Sequence, residues 1–353
     1  MILEKFCAYS IVEIWPRYLR TPRTKVIQLI SSPLDTGNLG VQKFVIAVCT
    51  ARRPKMLRRC LESLIRLSVP AGGSLQIVVI ENSSEPTAAS IVAEIQRQAD
   101  VAIHYRTESR PGIPFARNAA LDLSNALGAD WIGLIDDDEF ADSDWLLKLH
   151  DACIAFGADV ANGPIDQICE GTPPEWWESR SYPDRPTGKQ LRGAPTNNIL
   201  MRARLVRQDG LALRFDERLV SGSEDVEFFR HAVAKGAQII WVADAWLHEV
   251  LPASRLTPKK LLARAYMVAT SQTRVSQIRR GRFTGVLVLI PKILRRLIVG
   301  IFALVASAVV WLVRPAAGKF LFYSGALRIV KAAGNILGSF GYSGGYYKSI
   351  EGR

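Results

Sequence analysis

Residues 131–140 read WIGLIDDDEF, an uncharged run from Trp131 to Ile135 followed directly by Asp136, Asp137, Asp138 and Glu139. A short apolar run bounded by charge has the length of a buried strand. Four adjacent carboxylates repel one another unless a cation or a set of donors neutralises them. Ligands of open α/β sheets bind at the carboxyl ends of the strands, and there a divalent cation is the economical neutraliser. Mg2+ or Mn2+ takes hard oxygen ligands, commonly one or two carboxylates completed by substrate phosphates. A polar turn, with Asp142 or Ser143 capping a helix that begins near Trp145, is the competing reading of these residues.

Upstream of this stretch the chain alternates regularly. FVIAVCT (44–50) reads as a strand, and Met56, Cys60, Leu61, Leu64 and Ile65 have helical spacing. LQIVVIENSS (75–84) is a second strand with a helix near 87–99. Val101–Tyr105 is a third strand, and Pro114–Ala126 a helix before the acidic strand. This alternation predicts an α/β fold with a mainly parallel sheet and helices on both faces. The loops Thr50–Pro54, Glu81–Ser84, Thr107–Ile113 and Asp136–Asp144 then open on one side of the sheet, which becomes the active face. Downstream, residues 166–195 hold five prolines, three glycines and the pair Trp176-Trp177 and read mostly as loop. ILMRARLV (199–206) is strand-like or helical. Ser223–Lys235 predicts a helix with Val226, Phe229 and Val233 on one face, and QIIWVADAWLHEV (238–250) supplies one or two late strands. There is no internal repeat.

The 353 residues suffice for one large α/β domain plus an accessory region. The net charge of +12 divides unevenly along the chain. Residues 252–353 carry 17 Lys or Arg and a single acid, Glu351, whereas residues 42–251 carry 23 bases and 29 acids. Leu297–Val313 is seventeen residues without a charge, between Arg295-Arg296 and Arg314. That is near the lower limit for spanning a hydrocarbon core. The flanks, 285–294 and 320–340, mix apolar residues with Lys292, Arg328 and Lys331, as interfacial helices do. Bases interleaved with long aliphatic runs and few stacking aromatics favour an anionic membrane surface and disfavour nucleic acid as partner. The division expected is an N-terminal extension over 1–41, a catalytic domain over 42–251, and a basic, apolar, membrane-associated helical region over 252–353. The start of the chain has no conventional signal peptide. Five scattered cysteines without a CxxC pair suggest a reducing compartment and no structural zinc.

Five pieces recur in a fixed order. They are Cys49-Thr50-Ala51-Arg52-Arg53-Pro54, then Glu81-Asn82-Ser83-Ser84, then Arg110-Pro111-Gly112-Ile113 leading to Ala116-Arg117-Asn118, then Asp136–Asp138, and finally Gly222-Ser223-Glu224-Asp225. In this order and spacing the chain resembles the inverting family 2 glycosyltransferases with a GT-A fold, in particular bacterial enzymes of exopolysaccharide assembly similar to the succinoglycan glucosyltransferases. The resemblance covers about residues 44–277. It implies that Thr50, Ala51, Arg52 and Pro54 form the first nucleotide-binding turn, with Glu81 meeting the uracil or ribose where many members carry Asp. It implies that Arg117 and Asn118 belong to a motif near the nucleotide pocket. Asp136 and Asp138 match the two acids of a DxD motif, Asp138 as metal ligand and Asp136 at ribose and metal, with Asp137 between them in the nucleotide-sugar site. Asp225 matches the catalytic base, beside Glu224 at the acceptor site. His248 is a further candidate metal ligand. Trp176 and Trp177 are candidate acceptor platforms, since aromatic faces suit sugars.

Chemistry explains these residue types. A nucleoside-diphosphate sugar has a good leaving group once its developing charge is neutralised, and an acceptor hydroxyl needs a carboxylate to take its proton. The expectation is a metal-dependent, inverting transferase on the cytoplasmic face of a bacterial inner membrane. It would move a hexose, UDP-glucose being the first choice of donor, to a lipid-linked saccharide. A polyprenyl-phosphate glycosyltransferase and a non-catalytic membrane-bound module that binds sugar nucleotides are the alternatives. A dinucleotide-binding dehydrogenase is disfavoured because no G-x-G-x-x-G follows the first strand.

Overall fold

The computed structural model describes residues 41–342 except 175, 178–181, 183 and 221, so all but the last residue of the expected N-terminal extension lies outside it. In chain order the elements are β1 (Gln42–Thr50), α1 (Pro54–Leu64), β2 (Gly73–Glu81), α2 (Ala89–Gln96), β3 (Ala102–Thr107), α3 (Ile113–Ala126), β4 (Trp131–Asp136), β5 (Glu139–Ala141) and α4 (Trp145–Phe156). There follow β6 (Val160–Asn162), β7 (Ile165–Cys169), β8 (Gln190–Leu191), β9 (Ile199–Arg202), α5 (Glu224–Ala234), β10 (Ile239–Trp241) and β11 (Leu247–Leu251). Four helices close the described chain: α6 (Pro258–Arg280), α7 (Arg282–Leu287), α8 (Ile290–Val313) and α9 (Pro315–Ser339).

The principal sheet has eight strands in the order β3-β2-β1-β4-β9-β6-β10-β8. The first four are parallel, in a register that aligns Thr50 with Glu81, Glu81 with Thr107, and Cys49 with Asp136. Their carboxyl ends therefore open on one side, as the alternation of strands and helices requires. β9 runs antiparallel between β4 and β6. The second sheet, β5-β11-β7, stands beyond the acidic strand, and β11 pairs antiparallel with β5 and parallel with β7.

Side-chain alternation along β1 feeds two cores. Phe44, Ile46 and Val48 pack with α1, α2 and α4 on one face. Val45 and Ala47 pack with α3 and α5 on the other. On α5 the buried face is Phe228, Phe229 and Ala232, while Val226 is exposed. The periodicity reading of that helix was thus wrong at Val226, because α5 also buries Glu224 and Glu227, which hydropathy alone assigns to solvent.

α8 and α9 form an antiparallel-type hairpin whose contact is lined by small residues. Gly300, Ala303 and Ser307 of α8 are buried, as are Gly318, Gly325 and Ala332 of α9 at seven-residue spacing. A Cβ added at Gly325 would stand 2.8 Å from the Gly300 carbonyl oxygen, so the two backbones nearly touch. α6 lies against α9, where the buried Asn335 donates to the Ala269 carbonyl at 2.9 Å and to Thr273 Oγ1 at 3.0 Å.

Candidate active site

Three chain segments meet at the open ends of β1, β2 and β4. The first is the turn after β1. Arg52 there has φ 54°, a left-handed conformation that is costly for a residue with a Cβ. Its Nε is buried with no protein partner among the described residues. Thr50 Oγ1 donates to Asp137 Oδ2 at 2.7 Å, and Arg53 Nη1 donates to Asp137 Oδ1 at 3.0 Å and to Asp138 Oδ2 at 3.5 Å. Ala51 lies half-buried in the same turn, and Pro54 opens α1 at a position where a missing N–H costs nothing. The turn is thus tied to the acidic strand through Asp137, whose carboxylate faces the protein and not the cleft. Asp137 was expected in the nucleotide site; its two oxygens are instead occupied by Thr50 and Arg53. Arg53 lies within the motif quoted from the sequence, but the motif assigns it no role.

The second segment is the entry to α3. Asn82, just past β2, accepts from Gly112 N at 2.9 Å and donates to the carbonyls of Glu108 and Arg110. Gly112 has φ 133°, a conformation open to glycine, which lets the chain turn into α3. One turn on, the buried Arg117 donates through Nη1 to Glu224 Oε1 and through Nη2 to Asp136 Oδ1 at 3.4 Å. One side chain thereby joins the end of β4 to the start of α5. Asn118 is turned away: it donates to the Phe215 carbonyl at 3.0 Å and accepts from Phe215 N at 2.9 Å. Its expected place near the nucleotide is corrected to a backbone clamp.

Glu81 requires a larger correction. It is fully buried, and its carboxylate accepts from Thr87 N at 2.7 Å, Thr87 Oγ1 at 3.1 Å, Ala88 N at 3.0 Å and Tyr105 Oη at 2.6 Å. Four donors leave no lone pair for a uracil or ribose. Glu81 builds the turn into α2 and fixes β3 to β2.

The third segment carries the acids. Asp136 is 42 % exposed at its side chain, the most open of the group. Asp138 Oδ2 accepts from Arg255 Nη1 at 2.7 Å. Arg255 arrives from the short turn after β11, 117 positions along the chain. Glu139 is buried and accepts from Asp136 N at 3.1 Å and from Asn197 Nδ2 at 3.0 Å. Burial raises the Asp137 carboxyl to about 6 against the pull of Arg53. It raises Asp136 and Glu139 as well, with the neighbouring acids adding to the effect. By formal count the five carboxyl groups Asp136, Asp137, Asp138, Glu139 and Glu224 outnumber Arg53, Arg117 and Arg255, the three arginines that reach into them.

That excess is the test of a divalent cation. Among the described residues no three His, Cys, Asp or Glu groups converge as a protein-only cage. Asp136 and Asp138, two hard carboxylates in an under-compensated cleft, fit a Mg2+ or Mn2+ shared with substrate phosphates. His248 does not belong to that pair. It stacks on Phe140 at 4.9 Å and sits between Asp166 at 3.2 Å and Asp142 at 3.3 Å, on the pairing of β11 with β5.

Glu224 and Asp225 open α5. Glu224 is buried, with Oε1 on Arg117 and Oε2 without a partner among the described residues. Burial outweighs Arg117 and raises its carboxyl to about 7. Asp225 is half-exposed, and its Oδ1 accepts from Val226 N at 2.7 Å. Trp176 is buried and stacks on Tyr323 of α9, centroids 4.5 Å apart and 15° between planes. A face expected to receive a sugar is covered by that ring, so Trp176 anchors its loop to the helical hairpin. Trp177 is half-buried beside it.

A mainly parallel sheet with acids at the strand ends and a carboxylate pair at a facing helix is the arrangement the resemblance to nucleotide-sugar transferases leads one to expect. Comparison with known proteins agrees. Residues 45–213 match Glycosyl transferase family 2. The chain is 32 % identical over 238 residues to the succinoglycan biosynthesis protein ExoM of Rhizobium meliloti, spanning 65 % of this chain and 74 % of that protein. It is 26 % identical over 121 residues to the glycosyltransferase GlyA of Streptococcus pneumoniae, covering 34 % of this chain and 16 % of that one. Among solved structures, S. aureus TarS 1–349 in complex with UDP aligns with a TM-score of 0.47 at 17 % identity, over 85 % of this chain and 92 % of that one. The chain belongs to glycosyl transferase family 2, with a GT-A fold.

Proposed function

We propose that this glycosyltransferase moves a hexose from a nucleoside-diphosphate sugar, UDP-glucose first, to a lipid-linked saccharide in exopolysaccharide or surface-glycan synthesis, with inversion at the anomeric carbon. The observation that carries the reading is Arg117, which binds Asp136 and Glu224 together and so sets the acids at the end of β4 opposite the start of α5. The donor's nucleotide lies along the Thr50–Pro54 turn, with its diphosphate toward Asp136 and Asp138. A Mg2+ or Mn2+ bound there supplies charge neutralisation of the leaving diphosphate.

Asp225 takes the proton of the acceptor hydroxyl. The hydroxyl oxygen then bonds to the anomeric carbon as the carbon–oxygen bond to the diphosphate breaks, and the nucleoside diphosphate leaves with that electron pair. Glu224, locked on Arg117, holds the start of α5 so that Asp225 faces the sugar. The half-exposed position of Asp225, with no ion pair among the described residues, supports it over Glu224 as base.

The helical region over 252–353 associates with the membrane, and the catalytic domain over 42–251 works at the cytoplasmic face of the bacterial inner membrane. In support, Arg282–Val313 contains a stretch of mean hydropathy 2.4 of which only 11 % is buried. The test is donor turnover by the full chain in detergent against UDP-, GDP- and dTDP-sugars with Mg2+ or Mn2+, with and without a lipid extract. Metal-dependent nucleotide release, stimulated by lipid and lost in Asp138→Ala and Asp225→Asn, is the expected result. No release from any donor overturns the reading.

A further inference from the structure

The residues between Pro252 and Ile350 include no acid. Within that span four cations are gathered across the α8–α9 hairpin. Lys292 and Arg296 stand one turn apart on α8, Arg328 and Lys331 one turn apart on α9, and the hydrogen bond from Arg296 to Asn335, one turn beyond Lys331, joins the two faces. All four cations are half-buried. Their hydrogen bonds go to neutral groups: Lys292 Nζ to Gln272 Oε1 at 3.2 Å, Arg296 Nη1 to Asn335 Oδ1, and Arg328 Nη1 to the Ser324 carbonyl at 2.9 Å and to its hydroxyl. Like charges drawn together at partial burial, with no carboxylate among the described residues to compensate them, need an anion.

The surroundings say which kind of anion. On the face of α8 turned away from Lys292 and Arg296, Leu294, Ile298, Phe302, Val305, Val309 and Leu312 are exposed, so the cluster stands at one end of a helix whose outer face suits hydrocarbon. From Arg296 to Val313 the helix runs about 26 Å at 1.5 Å per residue, close to the thickness of a hydrocarbon core. A phosphate that carries a long apolar chain matches both features, and a free phosphate matches only the first. The cluster also lies next to the transfer machinery. On α6, Ser271 stands against Gly222, two residues before Glu224, and Gln272 is the residue that holds Lys292. On α9, Tyr323 holds the Trp176 loop, and its neighbour Ser324 receives Arg328.

We propose that Lys292, Arg296, Arg328 and Lys331 form the subsite for the phosphate or diphosphate group of the lipid-linked acceptor, whose hydrocarbon chain enters the membrane beside the hairpin. The proposal rests on the transferase reading above and adds the position of the acceptor's charged group. The saccharide then extends from the cluster past α6 toward Asp225, and the cluster sets how far the reacting hydroxyl stands from the membrane.

The test uses the full chain in phosphatidylcholine nanodiscs, with farnesyl diphosphate and farnesol as probes and binding followed by tryptophan fluorescence. Farnesyl diphosphate is expected to bind at least tenfold more tightly than farnesol. Arg296→Gln/Lys331→Gln is expected to lose at least tenfold of that affinity, while Arg280→Gln, an exposed cation elsewhere on α6, keeps it. Thermal melting of each variant separates lost binding from lost fold. If the double variant melts early, Lys292→Gln alone, which removes one cation and a single hydrogen bond, is expected to cost at least threefold. Equal affinity for the two probes, or full retention in the variants, overturns the subsite. Displacement of farnesyl diphosphate by 20 mol% phosphatidylglycerol also overturns it, since the cluster would then serve bulk headgroups. UDP binding on the same nanodiscs reports on the transferase reading separately, so a preparation that binds UDP and ignores farnesyl diphosphate refutes the subsite alone.

Discussion

The acidic cleft and the helical hairpin both gather like charge, and they treat it in opposite ways. In the cleft each of Arg53, Arg117 and Arg255 is engaged by carboxylates, and acid remains in excess. On the hairpin Lys292, Arg296 and Arg328 are held by amide and hydroxyl groups, and base is in excess without any acid nearby in the sequence. A fold keeps uncompensated charge of one sign only where something outside the chain neutralises it, since the desolvation cost otherwise counts against folding. The cleft is built for a cationic or proton-donating visitor and the hairpin for an anionic one. In the cleft, moreover, the arginines fix geometry: Arg117 is shared by two segments, so losing it disturbs both.

The largest effect expected from breaking this arrangement is at Asp225. Asp225→Asn removes the proposed proton acceptor, which makes no ion pair among the described residues, so kcat for transfer should fall by about 10²–10⁴ while the melting temperature stays put. A variant that keeps a tenth of the wild-type kcat would move the base elsewhere, with Glu224 the next candidate. Arg117→Met comes next. It leaves Glu224 and Asp136 facing each other without a cation, and a buried pair broken on one side costs about 3–5 kcal/mol. Denaturant unfolding is the measurement, and Arg117→Met/Glu224→Gln should recover part of the loss because the orphaned charge goes with it. Equal losses in the single and double variants would show that the bridge acts through packing.

Glu224 also gives the pH dependence a sign. Its carboxyl titrates near 4.5 in the unfolded chain and near about 7 when folded, with burial as the main cause. The folded state thus holds this proton more tightly. Its contribution to stability is complete below pH 4.5 and is lost as pH rises through about 7, a change of about 3 kcal/mol by linkage. Asp137, raised from 3.8 to about 6 in the folded protein, acts in the same direction at lower pH. Glu224→Gln should flatten the upper part of the melting-temperature curve between pH 5 and 7.5. A curve that keeps its full slope would assign the titration to another group.

Much of this was legible in the sequence. The apolar runs of β1, β2 and β4, each closed by Thr50, Glu81 or Asp136, state a parallel sheet because the residues of a doubly covered strand are apolar on both sides. Arg117, Asp136 and Glu224 came forward together through motif order, and they are the residues the fold joins. What the sequence hid is who holds whom across long separations. Arg255 reaches Asp138 over 117 positions, and Tyr323 reaches Trp176 over 147, and no local pattern announces either contact. Glu81 was misread for a related reason: its partners Thr87, Ala88 and Tyr105 come from a turn and a neighbouring strand, so its position at a strand end resembles that of a ligand-binding acid.

Glu81→Gln tests that correction with a smaller effect. A neutral amide cannot accept four hydrogen bonds as the carboxylate does, and leaving buried donors unmet costs about 1–3 kcal/mol. The donor KM should stay within twofold of wild type as the melting temperature drops. A tenfold rise in donor KM with unchanged melting would return Glu81 to the nucleotide site.

The smallest effect separates the two readings of Trp176 at the join between cleft and hairpin. Stacked aromatic pairs contribute about 0.5–1.5 kcal/mol beyond their buried area, so Trp176→Leu and Tyr323→Leu should each lower the melting temperature by a few degrees. Because the two rings serve one contact, the double variant should lose little more than either single one, the signature of coupled neighbours. A ring that served as a sugar platform would behave otherwise: Trp176→Leu would raise the acceptor KM whatever residue stood at 323, with melting unchanged. The anchoring contact predicts the reverse pattern. Any loss of acceptor affinity on changing Trp176 should be reproduced by changing Tyr323, its stacking partner on α9.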